Sequence, residues 1–463
     1  MSGSGVRSVV TKESCDIAEL NRTIGPFRLM LYGVGSMLGA GIYGLVGKAA
    51  GVMGAALWMG FLAAMIAALL TGISYASIAS RYPRAGGAAY VTQRAFAHPR
   101  LSYVVGLVVI CSGLLSIATQ SKVVAANLNV LLGAATGVSI AGVPAAELAL
   151  ATGFVLLVAG IVYRGISESL WANVVCTFLE AGGLLLVIVV GARFWGGTDL
   201  LELPGAALED WGAVAPLLLQ GAVLTFFSFI GFEDMLNVSE EVKAPNRTMP
   251  IALIGAMLIA SAIYLAVAVT AVTVAPWQEL ATAPGPLRLV IERSAPWFPP
   301  VGFTIITIAA VANTALVNYV MASRLIYGMA RQDLLPSVLS RVNQRRQTPH
   351  VAIGLLLAII LALQFAGDIS QLASATVLLL LMVFVVVNGA LIALNRREGS
   401  ISGCFNAPTI VPAAGMLVCL ALISGQFAQS DWRPAAVAVA LVGAILLLYQ
   451  LTERRRKHVS AKR

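Results

Sequence analysis

The sequence predicts an all-α polytopic membrane protein of about twelve transmembrane helices, and three observations lead there. Of 463 residues, 59% are hydrophobic and only 11% charged, and the mean hydropathy is +0.88. Soluble domains carry about 25% charged residues. The apolar residues run in long stretches, and about twenty such residues cross roughly 30 Å of hydrocarbon. Basic residues collect in alternate gaps between these stretches, as they do on the cytoplasmic side of inserted chains.

In chain order the expected spans are 27–49, 55–80, 101–132, 146–163, 168–194, 213–238, 249–275, 300–330, 349–367, 370–395, 408–427 and 433–452. The fourth is the shortest and ends beside the turn Tyr163-Arg164-Gly165. With a cytoplasmic N-terminus, only Arg288, Arg293 and Arg433 would lie in outside loops, and Lys48, Lys122 and Arg193 within spans. The rest of the 30 basic residues fall inside, including the tail ERRRKHVSAKR. Adding or removing one span would scramble that alternation, so both termini are placed in the cytoplasm and the chain in the plasma (inner) membrane. Residues 1–26 form a polar N-terminal segment without the apolar region of a cleavable signal. A core at 27–395, two further helices at 408–452 and a basic tail at 453–463 complete the division.

The first span contains LYGVGSMLGAGIYGLVG, with glycines at 33, 35, 39, 41, 44 and 47. Each glycine in a helix interior costs about 0.5–1 kcal/mol relative to alanine. Close helix packing through small residues explains part of such a cluster. A phosphate-binding loop does not, because no strand precedes it and no GK[ST] follows. The third reading is a broken helix, which a bilayer tolerates only where the backbone is buried in protein or lines a polar cavity.

The sixth span carries a matching anomaly. In LTFFSFIGFEDMLNVSEE an apolar helix meets Gly231 and then Glu233 and Asp234. A charged acid near the bilayer centre costs about 2.5–3.5 kcal/mol on insertion scales, so it faces a cavity or a partner. The two anomalies open two runs of five spans, 27–194 and 213–395. Five is odd, so the runs cross the membrane in opposite directions. Interrupted helices in matching places of inverted halves mark the midplane site of a secondary transporter. The symmetry is positional, with no residue-level repeat.

A break at Gly39-Ala40-Gly41 would leave N–H groups at the start of an outer half-helix, where the positive dipole end suits a carboxylate. Carbonyls at the ends of the inner half-helices would suit an ammonium group or a cation. Together they would hold an α-amino acid headgroup through the backbone alone.

Four stretches in this order resemble the amino acid–polyamine–organocation (APC) superfamily of permeases: GSMLGAGIYGLVG at 35–47, PRAGGAAYVTQRAF at 83–96, FFSFIGFEDMLNVSEEVKAPNRTMP at 226–250 and ASRLIYGMARQDLLP at 322–336. SEEVKAPNRTMP resembles the family's EE-x-K-N-P signature, with Ala244 where Asn is usual. The resemblance implies a five-plus-five inverted repeat with discontinuous first and sixth helices, two extra helices, and proton- or sodium-coupled transport or exchange. It implies a substrate site at Met37, Gly39, Ala40, Gly41, Ile42, Phe227, Ser228, Phe229 and Ile230. Within it, Ala40 and Gly41 would meet the carboxylate, and the carbonyls of Met37, Phe227 and Ile230 the amine. Phe227 and Phe229 would serve as aromatic lids or as ordinary packing.

One departure from the family stands out. In ESLWANVVCTFLEAGG, several proton-coupled relatives carry a lysine where this chain has Glu180. Glu180 lies near the midplane of the fifth span and could carry a proton, as intramembrane acids do in relays. It could instead pair with Lys122, or hold sodium with Thr314, since hard cations take oxygen ligands. Glu233 resembles a family acid beyond the sixth-helix break, with a gating or structural role. Asp234 could select cationic substrates.

Other signals are bland. The five cysteines at 15, 111, 176, 404 and 419 form no CxxC pair, so neither a disulfide framework nor a metal site is expected. His98, His350 and His458 lie near cytoplasmic loops, and the sequons at Asn237 and Asn246 fall on the same side. The net charge of +9 is accounted for by orientation, without a nucleic-acid partner; anionic lipid headgroups are a secondary use of the tail. No nucleophile–base pair suggests an enzyme, and no cofactor is expected beyond a coupling proton or, failing that, sodium. Some relatives need a disulfide-linked single-span partner, but residues 133–145 contain no Cys, so none is expected. The sequence reads as an amino acid permease working by alternating access. An amino acid sensor without flux, or a polyamine transporter, are the alternatives on the same fold.

Overall fold

The computed structural model describes residues 22, 24–84, 87–132, 139–140, 143–164, 169–205, 210–331, 334–343, 345–346, 348–427 and 431–460, without the side chains of 139, 140, 143, 169–174, 211 and 451–460. Expectations for most of the N-terminal segment, for Cys15, for much of 133–145 and for the side chains of the basic tail lie outside the described residues.

The described residues form a helical bundle with a short antiparallel pairing of Ser139–Ile140 with Val143–Pro144. Among the described residues, ten helical stretches are long and apolar enough to cross a membrane. One of them, Ala40–Arg81, is 42 residues long and divides into two passes at the 3-10 turn Gly54–Ala56. The shorter apolar helix His350–Leu363 adds another pass, giving about twelve. The first pass is Pro26–Met37 followed by Ala40–Met53, and the second Leu57–Arg81. The third to fifth are Pro99–Leu132, Ala145–Arg164 and Ser169–Gly191. The sixth is Trp211–Phe226, continued in 3-10 geometry by Phe227–Phe229 and Phe232–Glu241. The seventh to tenth are Pro245–Val274, Pro300–Arg331, His350–Leu363 and Ile369–Glu398, and the last two Ile410–Phe427 and Arg433–Ser460. Short helices at Gly87–Phe96, Trp277–Thr282 and Pro286–Ser294 sit in loops where no element was expected.

Packing supplies the symmetry that the residues hide. Pro26–Met37 of the first pass packs on the seventh, and Trp211–Phe226 of the sixth packs on the second. The third pass packs on the tenth, and the eighth on the fifth. Exchanging first with sixth, second with seventh and so on converts each pairing into its mate. Such an exchange is what two inverted five-helix halves require. The eleventh pass lies against the tenth, second and sixth, and the twelfth against the tenth and third.

Most first-pass glycines serve this packing. A Cβ on Gly35 would overlap Thr177 of the fifth pass, and one on Gly44 would come within 2.7 Å of Val123 on the third. At Gly47 and Gly51 the neighbours are the Leu280 carbonyl and the Ala281 methyl, the latter at 2.9 Å. The half-helix Ala40–Met53 therefore lies tight against Trp277–Thr282 through a face of small residues. Close packing explains these glycines better than a broken helix does.

The start of the first pass is tied to the end of the sixth. Ile24 N–H donates to the Glu241 carbonyl at 3.0 Å, and Lys243 N–H to the Ile24 carbonyl at 2.9 Å. Beyond this bridge, Ala244 caps the seventh pass in the left-handed region at φ 44°. Asn tolerates that region better than Ala, which explains the family's usual residue there. Ala244→Asn should stabilise the protein by about 0.5–1 kcal/mol, read as a later thermal inactivation in detergent.

Candidate functional site

Winding in the first pass stops at Leu38 and Gly39, slightly before the expected Gly39-Ala40-Gly41. Leu38 N–H still bonds the Val34 carbonyl at 2.9 Å, and the second half-helix begins with Tyr43 N–H to the Gly39 carbonyl at 3.1 Å. The N–H groups of Ala40, Gly41 and Ile42 consequently have no intrahelical acceptor, and all three residues are buried. The position of the break follows from a neighbour. Thr314 of the eighth pass sits where a Gly39 Cβ would be, and its Oγ1 lies 3.4 Å from the Leu38 carbonyl.

The sixth pass breaks at Ile230 and Gly231. Gly231 has φ +121°, a conformation side chains rarely adopt, and a Cβ there would overlap the Ser36 carbonyl. Glu233 Oε2 accepts from the Gly231 N–H at 2.9 Å, closing the turn. The gating-or-structural acid is thus a cap on the break. Asp234 Oδ1 takes a long contact from Asn237 Nδ2, at 3.5 Å, with Ser36 of the first pass also beside it, and its backbone N–H returns to the Gly231 carbonyl.

The two breaks adjoin. A Cβ on Gly41 would strike the Ser228 backbone, with its N at 2.7 Å, just as one on Gly231 would strike Ser36. Each break is approached by the other's main chain, which leaves no room for a side chain between them.

A seventh-pass tyrosine occupies the junction. Tyr264 Oη lies 2.7 Å from the Met37 carbonyl and 2.8 Å from the Ser228 carbonyl, one from each broken pass. A phenol has one proton, so it can donate to only one of them at a time. The ring is fully buried against Phe229 and Phe61, with centroids at 5.3 and 5.9 Å. The Met37 carbonyl, expected to meet an amine, is thus reached by a hydroxyl that it shares with the Ser228 carbonyl. The Phe227 carbonyl is also engaged, by Ile230 N–H at 3.4 Å. Phe227 and Phe229 are both buried, and Phe229 packs edge-on to Tyr264.

Glu180 is fully buried, and its Oε1 accepts from Asn313 Nδ2 at 2.9 Å. Tyr43 Oη donates to the Glu180 main-chain carbonyl at 2.6 Å. The expected pairing of Glu180 with Lys122 is corrected. Lys122 does not bridge to it; the acids that act on Lys122 are Glu147 and Asp368. Thr314 faces the first-pass break, because neighbours on a helix point about 100° apart, and it is Asn313 that reaches Glu180. No group of three or more His, Cys, Asp or Glu able to hold a metal occurs among the described residues.

Sequence reasoning missed Tyr264 and Asn313. Tyr264 stands in ASAIYLAVA, an unremarkable apolar run, and carried no signal. Asn313 immediately precedes Thr314 in VANTALVNY, so the right turn of the eighth pass was identified through the wrong residue. A second buried polar group also went unnoticed: Gln120 Nε2 and Asn318 Nδ2 both donate to Ser116 Oγ, at 3.1 and 3.3 Å.

Comparison with known proteins agrees with this architecture. The family described as "Amino acid permease" matches residues 24–448. The branched-chain amino acid permease BcaP of Bacillus subtilis (strain 168) is 27% identical over 430 residues, covering 87% of this chain and 88% of that protein. The methylthioribose transporter of the same organism is 29% identical over 466 residues, covering 95% and 94%. The vacuolar cationic amino acid transporter 2 of Arabidopsis thaliana is 30% identical over 405 residues, covering 82% and 62%. With a family match spanning nearly its whole length, and adjoining breaks in the first and sixth passes of inverted halves, the chain belongs to the amino acid permease family of the APC superfamily.

Proposed function

We propose that this protein carries a small amino acid across the plasma (inner) membrane by alternating access, with both termini in the cytoplasm and a proton as the coupling ion. The observation that carries the reading is the junction of the two breaks. Free N–H groups at Ala40–Ile42 and carbonyls at Met37 and Ser228 meet in one buried place, where a zwitterion's two charged ends could both be satisfied without water. The named relatives include a methylthioribose transporter as well as amino acid carriers, so family membership alone does not choose the cargo. The backbone-only recognition of a carboxylate and an amine favours an amino acid.

Counterflow of a labelled amino acid panel in proteoliposomes tests this directly, with methylthioribose and polyamines alongside. Saturable exchange of at least one amino acid is expected. Binding without flux would make the protein a sensor, and exchange of methylthioribose or polyamines alone would overturn the cargo.

Proton coupling is assigned to Glu180. Among the described residues it is the acid with no exposed surface, and none of their cations pairs with it. Glu180→Gln should abolish accumulation driven by a pH gradient while counterflow continues at near its normal rate. Undiminished proton-driven accumulation in that variant would remove Glu180 from the coupling step.

A further inference from the structure

Two buried oxygens beside the coupling acid have no hydrogen-bond partner: Glu180 Oε2 and Asn313 Oδ1. Their side chains are already joined through the other atom of each group, Asn313 Nδ2 to Glu180 Oε1 at 2.9 Å. With Glu180 ionised, both orphans are acceptors facing a water-poor interior, and neither can serve the other. One hydrogen on Oε2 changes the count, because the acid then donates to Oδ1 while the amide donates to Oε1. A single proton thus removes both defects, and buried polar atoms left unpaired are rare for the energetic reason that each is costly.

Resting on the coupling role given to Glu180, we propose that Asn313 is its positioning residue. The carboxylic acid and the carboxamide form a closed two-bond couple between the fifth and eighth passes, which opens when the proton leaves. On release the proton passes from Oε2 to water admitted by the opening of the site. The carboxylate keeps the Nδ2 bond and loses the second one, so the eighth pass is held by one link instead of two. Thr314, the next residue, bears on the first-pass break through Gly39 and the Leu38 carbonyl. Proton loss at Glu180 is thereby transmitted to the place where the substrate sits.

The surroundings leave the couple isolated. The first pass presents the Tyr43 phenol, the seventh the Tyr264 phenol, and the fifth itself the Cys176 thiol. The helix Pro286–Ser294, also packed on the fifth pass, has Arg288 paired to Glu292 and receives Arg193 on the Ser294 carbonyl. Among the described residues no basic group competes for Glu180.

Infrared difference spectra and transport together test the couple. Wild-type protein should show a protonated-carboxyl stretch that Glu180→Gln removes. Asn313→Leu should move that band to higher frequency, because the carboxyl then loses both bonds. In proteoliposomes Asn313→Leu, which removes both bonds, should lower proton-driven accumulation at least about tenfold, and by a larger factor than it lowers counterflow. E180Q should leave thermal stability less dependent on pH than in wild type, since a Gln–Asn pair closes both bonds without a titrating proton. A Glu180-dependent band that stays in place in N313L, or its absence from wild type, overturns the couple even if N313L is poorly produced. If wild type shows no proton-driven accumulation at all, it is the coupling reading that fails instead.

Discussion

Replacing Gly231 by alanine should abolish transport, with initial uptake falling about a hundredfold or more, equivalent to roughly 3 kcal/mol. Two independent costs act at this residue. Holding a side chain at φ +121° costs roughly 1–3 kcal/mol in strain. The new Cβ would also overlap the carbonyl of Ser36, and main chain inside a packed junction cannot swing aside as a flexible side chain would. The two broken passes would be forced apart, and with them the N–H and carbonyl groups that face the cargo. Gly113→Ala is the matched control, since nothing lies within 4 Å of a Cβ at that third-pass position. Uptake of a labelled substrate by equal amounts of reconstituted protein measures both. Activity within a factor of two of wild type in Gly231→Ala would mean that the break is not part of the transport path.

The second large effect is expected of Tyr264→Phe. The substitution keeps the ring, so packing against Phe229 and Phe61 survives, and removes only the hydroxyl between the Met37 and Ser228 carbonyls. A bilayer interior offers no water to replace that donor. Leaving a buried acceptor unserved costs about 1–3 kcal/mol, and here two acceptors share the loss. Uptake should fall at least about tenfold, and thermal inactivation in detergent should come earlier. Uptake and thermal stability equal to wild type would show that the hydroxyl links nothing.

Much of the architecture was legible because a membrane imposes simple rules on composition. Twenty apolar residues between basic loops leave few readings, and every expected span coincides with a helix in the structure. The discontinuities at Gly39 and Gly231 were legible for a different reason: glycine and acidic residues are expensive in lipid, so their presence demands a cause. What the chain concealed were choices among partners. Lys122 and Asn313 were both available to Glu180, and only the packing of the eighth pass against the fifth brings Asn313 there. Tyr264 was invisible because a tyrosine in a hydrophobic run has many uses. The glycines after position 41 were ambiguous between unwinding and close approach, and the neighbouring helix Trp277–Thr282 decides it, through Leu280 and Ala281.

The 3-10 stretch Phe232–Glu241 stores length. Its ten residues advance about 2.0 Å each, against 1.5 Å in an α-helix, so relaxing into α geometry would shorten it by about 5 Å. One end of that stroke is anchored at Gly231. The other ends at the Glu241 carbonyl, which grips Ile24 just before the first pass begins. Any shortening there would therefore pull on the start of the first pass.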